Sequence, residues 1–187
     1  MLASVNRDEA LRLLRVEHAA VYKLIDDLTD AEMTRRDTIR YGLYADQECS
    51  FKDLLAHLIC YEGLALEAIA AWRAGEKHWV IDAVDDARAS RDIHYGGIAD
   101  RARLSLDEQI EEYRQKSAEL ESALADMLDE QWREPAFYPT RGGADLGGMI
   151  ESIMVSPPRP MYRHLPVHIP DANAYIGSLR RSPVAKS

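Results

Sequence analysis

Three histidines in two distant segments are the residues whose type and spacing are suited to chemistry. His164 and His168 lie four residues apart, so on a helix their side chains share one face. His57 lies far upstream, within a strongly helical run. If the two segments pack together, three neutral imidazole nitrogens surround one divalent metal ion and leave a fourth position open, as in catalytic sites. The spacing therefore predicts a metal site at His57, His164 and His168.

The other histidines have simpler interpretations. A lone histidine on an apolar helix face is usually a core residue with one hydrogen-bond partner, and this is the prediction for His18. His78 and His94 fall in a charged connecting segment and are expected at the surface. Two buried imidazoles on adjacent turns, by contrast, are costly if charged and unfavourable if unpaired. A bound cation removes both problems, which favours the metal hypothesis for His164 and His168.

Three helices are predicted upstream of the histidine pair, at about residues 7–28, 51–74 and 105–128. Apolar residues recur in each at steps of three and four, the pattern of an amphipathic helix. Each begins after a residue that can cap a helix N-terminus: Asn6, Ser50 and Ser105. On the second of these helices, His57 lies on the apolar side and is predicted to point inward.

The fourth helical segment is interrupted. It starts at Leu146, and the proline-rich stretch Ser156–Pro160 must break or kink it. The helical pattern resumes over Met161–Ile176, where Pro166 is tolerable near the start and Pro170 is predicted to kink the helix. With no confident strand, the predicted fold is all-α: a four-helix bundle with long first and second connections and a proline-interrupted last helix.

Composition limits the classes of function. The 187 residues suit one domain, predicted over residues 1–179 with a flexible tail at 180–187. The net charge of −9 argues against nucleic-acid and anionic-membrane partners. Cys49 and Cys60 do not form a CxxC pair and are expected to be reduced. No secretory signal or spanning segment is predicted, so the expected localisation is cytoplasmic.

The histidine segments resemble the DinB-like superfamily of metal-binding four-helix bundles, which includes thiol transferases, mycothiol-dependent maleylpyruvate isomerases and the ClbS/DfsB group. The residues that carry the resemblance are Asp53-Leu-Leu-Ala-His57-Leu with Glu62, and Tyr162-Arg-His164-Leu-Pro-Val-His168-Ile. The resemblance implies that His57, His164 and His168 bind zinc or nickel. Two features depart from the family pattern: Pro166 lies between the paired histidines, and Ser156–Pro160 breaks the usual continuous helix.

The leading functional hypothesis is a metal-dependent enzyme acting on a small-molecule substrate. It would transfer a low-molecular-weight thiol or hydrolyse a small electrophile, because a bound metal lowers the pKa of water or a thiol. His18, Tyr61 and Glu62 are the candidate pocket residues near His57.

Two alternatives stay open. One is a metal-free, ClbS-like binding or self-protection protein whose pocket is formed at Trp72, Trp79 and Trp132. The other is an interaction protein that forms a homodimer through the heptad-like seam of the first helix.

Overall fold

The computed structural model describes residues 1–39, 48–84, 86–140, 142–154 and 162–181. Within these ranges the chain is helical, and its only β-type pairings are two isolated bridges, Ile39 with Cys49 and Pro135 with Asp145. The all-α prediction is therefore confirmed. The predicted count of four helices is not found, because the described residues form ten, four of them a single turn long.

In chain order the helices are α1 (Arg7–Asp27), α2 (Asp30–Met33), α3 (Phe51–Arg73), α4 (Val80–Ala83), α5 (Ala87–Arg101), α6 (Leu106–Ala125), α7 (Asp129–Trp132), α8 (Leu146–Met154), α9 (Leu165–His168) and α10 (Ala172–Arg181). The long helices α1, α3 and α6 confirm the three upstream predictions. Their predicted caps also form: the side chains of Asn6, Ser50 and Ser105 each accept a backbone N–H from the first turn.

Helix α3 is the centre of the molecule, and it packs against α5, α6 and α8. Its buried side includes His57, which is 4% exposed and faces inward as predicted. By length and composition α3 could also cross a membrane, although 67% of its apolar window is buried inside the protein. That burial is typical of the core helix of a soluble protein, because a core helix is apolar on most of its surface.

The heptad-like seam of α1 faces the interior of the same chain. Its predicted apolar residues are all buried there: Leu11, Leu14, Val21, Ile25 and Leu28. They belong to the two hydrophobic clusters that form the core. The seam therefore offers no free surface for a dimer contact, and the oligomeric state stays a prediction.

Helix α5 lies where a connection was expected. It has 15 residues and begins after Asp86, whose carboxylate accepts the backbone N–H of Ala89 at 2.7 Å. Its buried side consists of only Ile93, His94 and Gly97. Because one of these is polar and another has no side chain, the sequence carries almost no apolar periodicity here.

Gly97 lets α5 approach α3 closely. A Cβ atom at this position would lie 2.6 Å from Cβ and 2.8 Å from Sγ of Cys60. Contacts this short are repulsive, so only glycine fits without moving one of the helices. Gly96, the preceding residue on α5, would have nothing within 4 Å of its Cβ.

These two glycines give a matched test of the packing. We expect Gly97→Ala to lower the free energy of unfolding by about 1–3 kcal/mol, because it overpacks the contact between α3 and α5. Gly96→Ala should instead raise it by about 0.5–1 kcal/mol, since alanine favours a helix interior more than glycine does. Urea unfolding measures both, and equal effects of the two substitutions would contradict this account of the contact.

The last section of the chain forms α8, α9 and α10, with Ser156–Pro160 and Met161 outside the described residues. Pro166 occupies the first turn of α9, where its missing N–H costs no helical hydrogen bond. Pro170 does not kink a helix, contrary to prediction. Instead α9 ends at His168, and Ile169 before the proline has left the helical conformation, with φ −129° and ψ 85°, because the proline ring disfavours a helical residue before it. Helix α10 continues to Arg181, two residues into the predicted tail.

Candidate metal centre

The structure brings the three predicted histidines together. His57 comes from the middle of α3, His164 immediately precedes α9, and His168 is its last residue. One ring nitrogen of each lies within 4.8 Å of the other two. The Nε2 atoms of His57 and His164 are 3.0 Å apart. His57 and His164 are buried and His168 is half-buried, so the cluster lies at the edge of the core.

The single turn of α9 explains how His164 and His168 point the same way. The two rings stack at 5.0 Å between centroids, with 28° between their planes, as expected for side chains four residues apart on a helix. Pro166 lies between them in the first turn and does not rotate them apart. The departure from a continuous helix therefore leaves the histidine pair intact.

The aromatic ring of Tyr61 packs beside the cluster. It lies one turn after His57 on α3 and is buried. Its ring meets those of His57 and His164 edge-on, with centroid distances of 4.8 and 5.6 Å. This pocket candidate thus lies next to two of the three histidines, where it shields them from water.

His94 is a fourth histidine in the cluster, and the prediction that it lies at the surface is wrong. It is 2% exposed on α5, and its Nδ1 lies 2.9 Å from Nδ1 of His57. Burial lowers the pKa of His94 to about 4, so its ring is neutral near physiological pH. The sequence did not reveal it because α5 itself was not predicted. His78 is not part of the cluster, and its Nε2 lies 3.5 Å from the carboxylate of Glu67.

Glu17 anchors the segment that carries the histidine pair. Its buried carboxylate accepts the backbone N–H of Leu165, the residue after His164, and the Nε–H of Arg163 at 3.3 Å. Burial raises the pKa of Glu17 to about 6, although both of these contacts lower it. Glu17 lies three residues after Leu14 on the apolar stripe of α1. A carboxylate at that inward position is the signal that could have identified it.

The donor set suits particular metals. Neutral imidazole nitrogens favour zinc, nickel and similar transition metals, whereas magnesium and calcium prefer oxygen ligands. Zinc holds its nitrogen ligands at about 2.0–2.1 Å, so two such ligands in a tetrahedral site lie roughly 3.4 Å apart. The 3.0 Å separation of His57 and His164 is close to that spacing. The donor type of the three histidines therefore fits a metal ion of this class, and their ligand atoms lie within 4.8 Å of one another.

Comparison with known proteins agrees with the resemblance. A sequence profile of the DinB superfamily matches residues 12–154, well over half of the chain. The chain belongs to the DinB superfamily. The match includes His57 and ends before His164 and His168, so the family assignment and the histidine cluster are separate observations.

One solved structure shows the same fold. It is the crystal structure of an uncharacterised protein from Escherichia coli UTI89, with a TM-score of 0.65 and 17% sequence identity over 96% of this chain and 93% of that one. At this identity the likeness concerns the fold alone. No curated protein matches the sequence.

In this DinB superfamily chain, two predicted pocket residues form a separate buried cluster. His18 on α1 lies between two carboxylates: its Nε2 is 3.2 Å from Glu62 on α3, and its Nδ1 is 2.6 Å from Glu121 on α6. Burial lowers the pKa of His18, but the two carboxylates outweigh it and raise the pKa above its ordinary value. Burial also raises the pKa of Glu62. This cluster links three helices and favours a protonated His18.

The His18 cluster predicts a pH dependence of stability. Because the folded protein keeps the His18 proton that the unfolded chain loses above about pH 6.5, the free energy of unfolding should fall as the pH rises from there through the folded-state pKa. The raised pKa of Glu62 also makes the free energy of unfolding fall as the pH rises. Glu121→Gln removes one of the charges that hold the proton. In this variant we therefore expect the free energy of unfolding to decrease less over the same pH range.

Urea unfolding of the metal-free protein at a series of pH values measures the effect. Glu119→Gln is the matched control, because Glu119 lies on the same helix and pairs with Lys116 near the surface. The explanation would be wrong if Glu121→Gln and the wild type lost stability equally over this range.

Proposed function

We propose that this DinB superfamily protein is a metal-dependent enzyme that holds zinc or nickel at His57, His164 and His168 and acts on a small molecule. The observation that carries the proposal is the convergence of three imidazoles from α3 and α9 in the core. Two independently placed helices contribute imidazole donors to one cluster, which is the composition of a catalytic metal site with an open position.

The reaction we propose is thiol transfer to, or hydrolysis of, a small electrophile. A metal bound by three nitrogens lowers the pKa of a water or thiol at its open position and so supplies a nucleophile near neutral pH. The protein side chains orient and enclose that position. His57, His164 and Tyr61 form the buried side, and the half-buried His168 marks the side from which a substrate enters. A low-molecular-weight thiol as co-substrate is part of this proposal.

The surroundings support a soluble, cytoplasmic enzyme. No disulfide involves Cys49 or Cys60 in the part of the chain that the structure describes, which is compatible with a reducing compartment. The net charge of −9 disfavours nucleic-acid partners. We therefore propose a cytoplasmic protein whose main partner is a small-molecule substrate.

The alternatives have less support in the structure. A metal-free tryptophan pocket would need the three indoles to share one cavity. Instead, Trp72 donates to Glu134 at 2.9 Å and Trp132 donates to the carbonyl of Val5 at 3.0 Å, both within the core. Trp79 is 57% exposed on the surface. These arrangements explain the tryptophans as packing and surface residues.

Metal binding is tested by loading the chelator-stripped protein with zinc or nickel and measuring the bound ion and its affinity. We expect one ion per chain, and we expect His57→Ala, His164→Ala and His168→Ala each to weaken binding by more than about 100-fold, because each removes a ligand rather than an outer contact. His78→Ala is the matched control, since His78 lies outside the cluster. Absence of a bound ion, or unchanged affinity in all three variants, would overturn the proposal.

Enzymatic activity requires a separate measurement. The metal-loaded protein, the stripped protein and His164→Ala are incubated with a thiol and an electrophilic probe, and product formation is followed. We expect turnover only in the loaded wild type. Equal turnover in the stripped protein would overturn the metal-dependent reaction.

A further inference from the structure

His94 contacts the one cluster histidine that comes from α3. Its Nδ1 lies 2.9 Å from Nδ1 of His57, and both rings are buried. The other nitrogen of His57, Nε2, faces His164 at 3.0 Å. His57 therefore lies between two imidazoles and uses a different ring nitrogen toward each.

This arrangement restricts where the His57 proton can be. A hydrogen bond between two nitrogens needs one N–H donor and one lone pair. A neutral imidazole that binds a metal through Nε2 carries its proton on Nδ1. In that state the Nδ1–H of His57 donates to Nδ1 of His94, and the proton of His94 is on its own Nε2.

We propose that His94 is the positioning residue of His57. It accepts the Nδ1–H of His57, fixes the ring in the tautomer whose lone pair is on Nε2, and aims that nitrogen at His164 and His168. Metal-bound histidines commonly donate their second N–H to a fixed acceptor that sets both tautomer and orientation. The role in metal binding rests on the proposed function, whereas the hydrogen bond itself does not.

The helix packing explains why these two rings meet. Gly97 follows His94 by three residues on α5, and Cys60 follows His57 by three residues on α3. The close contact between Gly97 and Cys60 therefore lies one turn from the contact between the two imidazoles. A larger residue at position 97 would separate the helices and lengthen the hydrogen bond.

Two substitutions of equal shape separate the hydrogen bond from packing. His94→Asn keeps an acceptor oxygen on Cγ, where Nδ1 was attached, and His94→Leu puts a methyl group there. We expect His94→Leu to weaken zinc binding by about 10–100-fold, the usual cost of losing such an outer contact, and His94→Asn to restore most of it. Equal zinc affinity in the two variants would overturn the positioning role. Circular dichroism verifies that both variants fold.

A second measurement needs no variant. Long-range proton–nitrogen NMR correlation on the metal-free wild type, with labelled histidine and at a pH above the ordinary imidazole pKa of about 6.5, reports which nitrogen carries each proton. We expect the His57 proton on Nδ1 and the His94 proton on Nε2. A His57 proton on Nε2 would overturn the proposal.

Zinc affinity and the NMR tautomers together show which proposal has failed, the metal-dependent function or the positioning role of His94. If the wild type binds no zinc, the metal-dependent function fails, while the NMR result still decides whether His94 holds His57. If zinc binds the wild type and His94→Leu with the same affinity, only the positioning role fails.

Discussion

Burial of several imidazoles at one point in the core is the constraint on which the surrounding structure depends. A buried polar ring must find a partner, and a buried charge is still more costly. The three helical elements around the cluster meet this requirement in different ways. Helix α3 supplies His57 from its buried face, and α5 lies close enough to place His94 against it. The single turn of α9 brings His164 and His168 together.

In the part of the chain that the structure describes, two buried clusters differ in their electrostatic character, and both use α3. Around His57 the groups are imidazoles, which suits a cation arriving from outside. Around Glu62, five residues further along the helix, a histidine lies between two carboxylates, so its positive charge has partners within the chain itself. The first cluster is suited to binding and the second to holding α1, α3 and α6 together. The pocket role predicted for His18 and Glu62 stays a prediction.

Much of the architecture follows from local sequence. Helices α1, α3 and α6 were predictable because each has an apolar stripe and a capping residue, and the inward direction of His57 follows from the stripe of α3. The histidine pair was predictable from its spacing, His57 joined it because it points inward on a neighbouring helix, and the resemblance to the DinB superfamily implied the same three residues. The profile match to residues 12–154 confirms the superfamily, while the ClbS/DfsB and thiol-transferase subgroups stay predictions.

The features that sequence reasoning missed depend on contacts between distant residues. Helix α5 buries a histidine and a glycine instead of an apolar stripe, so neither it nor His94 gave a periodic signal. The bond from Leu165 to Glu17 joins residues 148 apart in the chain, and no local pattern encodes it. The division of the last helix at Pro170 was misjudged because a proline can kink a helix or end it, and packing around Ile169 decides between the two outcomes.

Anomalous diffraction from crystals of the zinc-loaded protein, measured on both sides of the zinc edge, tests the central claim most directly. We expect one strong anomalous peak at about 2.0–2.1 Å from a ring nitrogen of each of His57, His164 and His168. A peak elsewhere in the protein, or no peak between these three side chains, would contradict it.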